Sequence, residues 1–236
     1  MYSSRQAWMF VLPALLLYAA FVAVPILQVA AYSLFSWDNG SIKAFSGGAN
    51  YVRLVTDNVF WTALGHNAIW AVLTLCFPLL IGLVLASILA ERSPRLVKVM
   101  SAIYFLPRTI PLVVAGIIWG WIYNPIFGLL NYLLDMVGLG SWGGAWLAEP
   151  GTALISLNAA GAWTFYGFCV LIYLSAIQSI DPSLYEAASL DGASWDQRFR
   201  FITVPLLKST TLFLGLYSAI EAMRFFDLVW VTTQGG

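Results

Sequence analysis

Apolar residues do not alternate with polar ones along this chain; they run on for twenty residues and more. Five segments, 8–34, 62–90, 99–123, 152–177 and 206–231, are long and apolar enough to cross a bilayer, which takes about 20 residues of helix. Inside lipid every backbone polar group needs a partner from its own segment or from a closed sheet, so such runs predict helices. They are uncharged except around Arg108 and in the last, which carries Glu221, Arg224 and Asp227. The first run is too long for the apolar region of a signal peptide, and no small-residue cleavage site follows it, so it reads as a retained span. The predicted fold class is an all-α integral membrane protein, a polytopic helical bundle, with residues 1–236 forming a single transmembrane domain.

Composition strengthens this reading. The chain is 61% hydrophobic and only 9% charged, against about 25% charged in soluble domains. Zero net charge implies no general attraction to nucleic acid. Eleven Trp and eleven Tyr suit a chain with two membrane–water interfaces. Cys76 and Cys169 lie in apolar runs and read as small buried hydrophobes, with neither disulfide nor metal spacing. The basic residues set the orientation. With the N-terminus inside, Arg5, Arg92, Arg95, Lys98, Arg198, Arg200 and Lys208 are cytoplasmic, and only Lys43 and Arg53 fall in outer loops. That bias matches the positive-inside rule.

One cytoplasmic stretch, DPSLYEAASLDGASWDQRFRFITVPLL from Asp181, is far more polar than its surroundings. Asp181-Pro182 is a helix start, a cap followed by a proline at the first position. Leu184, Ala187 and Ala188 share a face, and the two alanines keep it thin enough for a partner to approach closely. Gly192 ends the helix at a left-handed cap. Ser194 and Gln197 form a capping box for a second helix, whose apolar face is Trp195, Phe199 and Ile202, and Pro205 marks its junction with the next span. Pattern alone leaves two readings: an interfacial loop that joins two spans, or a docking element for a cytoplasmic protein.

The order Glu186-Ala187-Ala188, three residues, Gly192, nine residues, Ile202-Thr203-Val204-Pro205 resembles the EAA motif of permease subunits of binding-protein-dependent ABC importers. Val204 stands where that motif usually has Leu. "LPALLLYAAFVAVPI", "ANYVRL", "FWTALGHNAIW", "FLPRTIPLVVAGIIWGWIYNPIFGLLNYLL" and "FFDLVWVTTQGG" are similar to the carbohydrate-importer branch. The resemblance implies a type I, MetI-like permease in a bacterial or archaeal plasma (inner) membrane, with a sixth span after the Gly-Gly segment. It also implies a second permease subunit, expected to be a different chain, two ATP-binding subunits and an external solute-binding protein. The region 181–205 would be the coupling helix region, with Tyr185, Glu186, Ala187, Ala188, Asp191 and Gly192 at the ATPase. The chain has no phosphate-cradling Gly-x-x-x-x-Gly-Lys-Ser/Thr sequence. ATP and Mg therefore belong to the partner ATPase, and this chain is expected to need no cofactor of its own and to be no enzyme.

Charges within spans face cavities or partners. Glu221, Arg224 and Asp227 fall at three-residue steps, with Ser218 one turn deeper. In the fourth span Gly161, Phe165 and Phe168 make another face, with Trp163 and Tyr166 nearby. Acids, hydroxyls and aromatic rings are what a sugar or polyol would use, so Gly161, Phe165, Phe168, Ser218, Glu221 and Arg224 are the candidate solute pathway. The competing reading is local ion pairing that holds helices together. Arg108, between Pro107 and Pro111, is a third partner or an interfacial cation. Glycerol-3-phosphate or a polyamine is the alternative solute, although a phosphate would favour more bases in the pathway. An intramembrane hydrolase would need a nucleophile with a base or a metal cluster, and one His with no HExxH sequence gives no metal site. A sensor or channel would not need the glycine-turn element.

Overall fold

In the computed structural model residues 4–38 and 40–235 are described. The side chains of Arg5 and Lys43, both counted in the charge bias, lie outside the described residues. The described chain falls into two units, one ending at Leu64 and one from Gly65 onward.

The first unit opens with helix α1, Ser4–Tyr18, which continues through a π-helical turn, Ala19–Ala23, into α2, Val24–Tyr32. The π turn has a cause in the sequence. Pro25 cannot donate to the carbonyl four residues back and its ring crowds it. Widening the turn, with the Val24 N–H bonded to the Ala19 carbonyl, relieves the crowding. A short antiparallel hairpin follows, β1 Phe35–Asp38 with β2 Ser41–Phe45. This is one addition to the all-helical expectation. Asn50, in helix α3 (Ala49–Thr56), braces the hairpin by donating to the Ser33 and Phe35 carbonyls at 2.8 and 2.9 Å.

The second unit contains most of helix α4, Asn58–Ala90, followed by α5, Pro94–Phe105, a 3₁₀ turn, Leu106–Thr109, and α6, Leu112–Ile122. Helix α7, Leu129–Met136, precedes α8, Pro150–Gln178. Then come α9, Pro182–Leu190; α10, Trp195–Arg198; a second π turn, Phe199–Thr203; α11, Val204–Leu206; α12, Lys208–Ala222; and α13, Phe226–Thr233. The second π turn also precedes a proline, Pro205, for the same reason as the first.

Among the described residues, three unbroken helices are long and apolar enough to cross a membrane: Trp8–Tyr32, Asn58–Ala90 and Pro150–Gln178. The other two apolar segments are bent. The expected span 99–123 turns by 95° between Thr109 and Leu112. Pro111 supplies no N–H, and the residue before it is pushed out of the helical region; Ile110 sits at φ −80°, ψ 128°. The expected span 206–231 begins only at Lys208, after a 67° bend. It breaks again at Met223–Phe225, where Phe225 takes φ −82°, ψ 43°.

Helix α8 is the centre of this unit. Its Phe165, Cys169, Val170, Tyr173 and Leu174 are buried with Leu79, Ala86 and Leu89 of α4 and Leu214 of α12. In lipid, close packing and interhelical hydrogen bonds hold helices together rather than water exclusion. Asn158 donates to Thr74 Oγ1 at 3.0 Å, Tyr173 to Thr211 Oγ1 at 3.1 Å and Tyr123 to the Ser156 carbonyl at 2.9 Å. Cys169 is fully buried as expected, but Cys76 is exposed on α4: its apolar surroundings are outward-facing residues such as Phe77 and Leu80.

Gly167 on α8 lies against the Tyr104 carbonyl of α5, and a methyl group there would overlap that oxygen. Alanine normally favours a helix over glycine by about 1 kcal/mol. Here overpacking, typically about 1–3 kcal/mol, outweighs it. Gly167→Ala is therefore expected to lower the unfolding midpoint of the detergent-solubilised protein. A raised midpoint would show that α5 and α8 do not approach this closely.

Candidate functional site

Two constellations stand out. The first is the 181–205 stretch, whose local geometry follows its sequence closely. The Asp181 carboxylate accepts from the Ser183 N–H at 2.9 Å, capping α9. That bond, with the Ser183 side chain, holds the carboxyl below its ordinary range, which keeps it charged and accepting. At the other end of α9, Ala193 N–H bonds the Ala188 carbonyl at 2.9 Å and Gly192 N–H bonds the Ser189 carbonyl at 3.1 Å. This pair is a Schellman motif, and it sets Gly192 at φ +78°. The Ser194–Gln197 capping box is complete, with both reciprocal bonds formed.

The stretch is a folded unit rather than a string of turns. Tyr185 Oη and Thr203 Oγ1 are 2.9 Å apart, joining the two halves of the EAA-like sequence. Trp195 and Phe199 stack with centroids 5.2 Å apart. Glu186, Ala187, Asp191 and Gly192 are exposed, and Tyr185 and Ala188 are partly so. A cavity of about 850 Å³ lies above the stretch, lined by Tyr185, Glu186, Arg198 and Thr203 together with Ser87 and Glu91 at the end of α4.

The second constellation is within the apolar bundle, and it centres on Arg108. The proline-bounded break between α5 and α6 delivers this guanidinium to the face of α8. Its carbon lies 5.6 Å from the Phe165 ring centroid and 5.8 Å from that of Phe168, within cation–π range. Arg108 Nη2 donates to Tyr217 Oη at 3.2 Å and faces Glu221 Oε2 at 3.5 Å. Tyr217 in turn lies parallel to Phe165, 6.0 Å between centroids. A charge in an apolar bundle is tolerated only with such partners. The Arg108 and Glu221 side chains keep 25% and 24% of their exposure.

The structure brings Phe165, Phe168 and Glu221 together around Arg108, keeps Arg224 in contact with Glu221, and covers Ser218 and Gly161. Ser218 is fully buried, with a hydroxyl that has no protein partner. Gly161 is covered: a Cβ there would meet the Phe225 ring at 2.7 Å and Trp70 at 3.3 Å, so it packs rather than lines. Arg224 sits in the break after α12, 74% exposed and 3.9 Å from Glu221. Asp227 belongs to α13, so the expected common face of Glu221, Arg224 and Asp227 does not exist. Tyr217 is a site residue that sequence reasoning missed. Its signal was an aromatic one helical turn before an intramembrane acid. Trp163 and Tyr166 line a separate apolar groove of about 460 Å³ with Phe77 and Ile155. Among the described residues no group of three metal-ligating side chains comes together.

A bundle of long and bent apolar helices, a charged aromatic cluster inside it and a folded polar stretch outside it define a multi-pass membrane transport protein. Residues 79–236 match the family described as "Binding-protein-dependent transport system inner membrane component". The chain belongs to that family, whose members are permeases rather than enzymes. It is 35% identical over 235 residues to the lactose transport system permease LacF of Rhizobium radiobacter, covering 99% of this chain and 78% of LacF. It is 32% identical over 235 residues to the trehalose/maltose transport system permease MalF of Thermococcus litoralis, at the same coverage. The osmoprotective compounds uptake permease GgtC of Synechocystis is 34% identical over 233 residues, covering 96% of this chain and 81% of GgtC. In fold it is similar to a chain of a bacterial ABC transporter involved in import of the acidic polysaccharide alginate. That match has a TM-score of 0.76 and 24% identity, and covers 96% of this chain and 82% of the other.

Proposed function

We propose that this chain is a permease subunit of an ATP-driven importer for a sugar or related polyol, and that it forms half of the solute pathway. The observation that carries the coupling part is the exposed, fully capped helix–glycine–helix of 182–198, with Gly192 held at φ +78°. Tyr185, Glu186, Ala187, Ala188, Asp191 and Gly192 face a cytoplasmic ATPase, which binds ATP and Mg and performs the hydrolysis. The N-terminus is cytoplasmic. A second permease, two ATP-binding subunits and an external solute-binding protein complete the machine. A chain similar to this one in fold comes from a complex with a periplasmic protein carrying an alginate pentasaccharide, which supports the last of these partners. Closure and opening of the ATPase dimer tilt the spans through this stretch, and access alternates.

The names of LacF and MalF support a carbohydrate. So does a cluster offering a carboxylate, a phenol and aromatic faces beside the Arg108 guanidinium, with Arg224 on the other side of the carboxylate. Glu221 is flanked by two guanidinium groups, Arg108 at 3.5 Å and Arg224 at 3.9 Å, which disfavours a polyamine. The preference for a neutral sugar over a phosphate ester rests on the names of LacF and MalF. The experiment is purification of the tagged chain from its own membranes with its associated subunits, then uptake in proteoliposomes with the binding protein. An ATPase subunit is expected to co-purify, and hydrolysis is expected to rise with neutral sugars. A response only to glycerol-3-phosphate or polyamines would replace the solute reading. Absence of any ATPase subunit would overturn the coupling reading.

A further inference from the structure

The 181–205 stretch contains two arginines that behave differently. Arg200 pairs with Asp196 one turn away at 3.0 Å, on an open surface with both side chains more than half exposed. Arg198 instead reaches across three elements. Its Nη1 donates to Ser189 Oγ of α9 at 2.7 Å, and its Nη2 to Glu91 Oε1, just past the end of α4, at 3.1 Å. Ser189 passes the link on by donating to the Tyr185 carbonyl at 2.7 Å. The Arg198 side chain is 23% exposed, and its Nε is buried without a partner.

Glu91 makes this contact informative. It directly follows the last residue of α4, Ala90. A helix C-terminus carries partial negative charge, so an acid there is unfavourable unless a cation answers it. Arg198 answers it. The same guanidinium sits near the C-terminal turn of α9, where a cation is favourable. One side chain thus joins two helix ends, and its charged donors make stronger bonds than neutral ones.

We propose that Arg198 is a positioning residue that clamps α9 to the end of α4, so that displacement of α9 moves that span rather than flexing the turns between them. The inference rests on the coupling role of α9 proposed above. It adds that docking and transmission are separable. The ATPase is held by the exposed face of α9, and its stroke reaches the bundle through Arg198, Ser189 and Glu91.

The test is the purified complex in proteoliposomes, with solute uptake and binding-protein-stimulated ATP hydrolysis measured on the same preparation. Arg198→Gln and Glu91→Gln are expected to keep the ATPase subunit and continue hydrolysing, while solute moved per ATP falls about threefold to tenfold, as for loss of one charge-assisted interhelical contact. The double variant should fall no further than either single, because both remove one contact. Arg198→Lys, which can hold only one of the two partners at a time, should lie between. Arg200→Gln should match the wild type. Additive losses, or equal falls in uptake and hydrolysis, would overturn the clamp. Loss of the ATPase subunit from the Arg198 variants alone would make Arg198 a docking residue and also overturn it. If no ATPase subunit accompanies the wild type, it is the coupling role itself that fails.

Discussion

Gly192→Asp is expected to abolish most solute uptake while leaving the membrane bundle folded. Gly192 sits at φ +78°, and a Cβ there would meet nothing within 4 Å. The substitution therefore creates no clash, and its effects are conformational and electrostatic. Most non-glycine residues are disfavoured by about 1–2 kcal/mol in the left-handed region; Asp is among those that tolerate it best, so the conformational part of the effect is the smaller and the added charge the larger. Relaxation of the turn would break the bonds from Gly192 and Ala193 to the Ser189 and Ala188 carbonyls, and with them the exit angle of α9. The new carboxylate also lies beside exposed Asp191, so two like charges would face the partner. Asn, like Asp, tolerates the left-handed region, but adds no charge. Gly192→Asn should therefore retain a substantial part of the uptake that Gly192→Asp loses. Uptake and solute-stimulated hydrolysis, measured together, check this. Wild-type values of both in Gly192→Asp would remove the docking role from the stretch.

The contrast between the two constellations shows what a sequence carries. The turn chemistry of 181–205 is local: a cap at Asp181, a left-handed glycine and a reciprocal Ser194–Gln197 pair each need only neighbours within five residues. All three form as their residues dictate. The bend of 99–123 was also present in the sequence, in Pro107 and Pro111, but apolar composition concealed its size. The break at Met223–Phe225 contains neither Gly nor Pro. It accompanies a tertiary contact, Phe225 against Gly161 and tilted on Trp70 at 4.7 Å between centroids, which no window of sequence contains. A continuous-helix reading therefore put Arg224 and Asp227 on a face that stops at Ala222. The hairpin was legible and missed. Asp38-Asn39-Gly40 between Phe35, Trp37 and Ile42 is a hairpin signal, overlooked beside the long apolar runs. Arg198's partner Glu91, 107 residues away, had no local signal.

Breaking the Arg108–Glu221 pair is expected to have the other large effect, and the form of the loss distinguishes a pathway from a brace. Removing one partner of a fully buried pair typically costs about 3–5 kcal/mol. Here each side chain keeps a quarter of its exposure, so about 1–2 kcal/mol is the appropriate scale. Glu221→Gln should be the more damaging single change. It leaves Arg108 without a counter-charge, with only neutral acceptors, the Tyr217 hydroxyl and the new amide at 221, and two aromatic faces. Arg108→Gln leaves Glu221 with Arg224 at 3.9 Å as a remaining counter-charge. The exchange Arg108→Glu with Glu221→Arg restores opposite charges at the two positions, and adding Arg224→Gln removes the guanidinium 3.9 Å away that would otherwise repel the new cation at 221. If the pair only braced helices, the exchange would recover both yield of the assembled complex and uptake. We expect yield to recover and uptake to stay at least about tenfold down. The Phe165 and Phe168 rings attract a cation and repel an acid placed over their faces. The carboxylate that the exchange introduces at position 108 would therefore turn away from the platform proposed for a sugar's C–H face and hydroxyls. Phe168→Ala should then lower uptake without changing which subunits co-purify, because Phe168 is the partly exposed ring of the two while Phe165 is buried in the core. Recovery of uptake by the exchange would assign the cluster to helix packing and move the solute site elsewhere in the bundle.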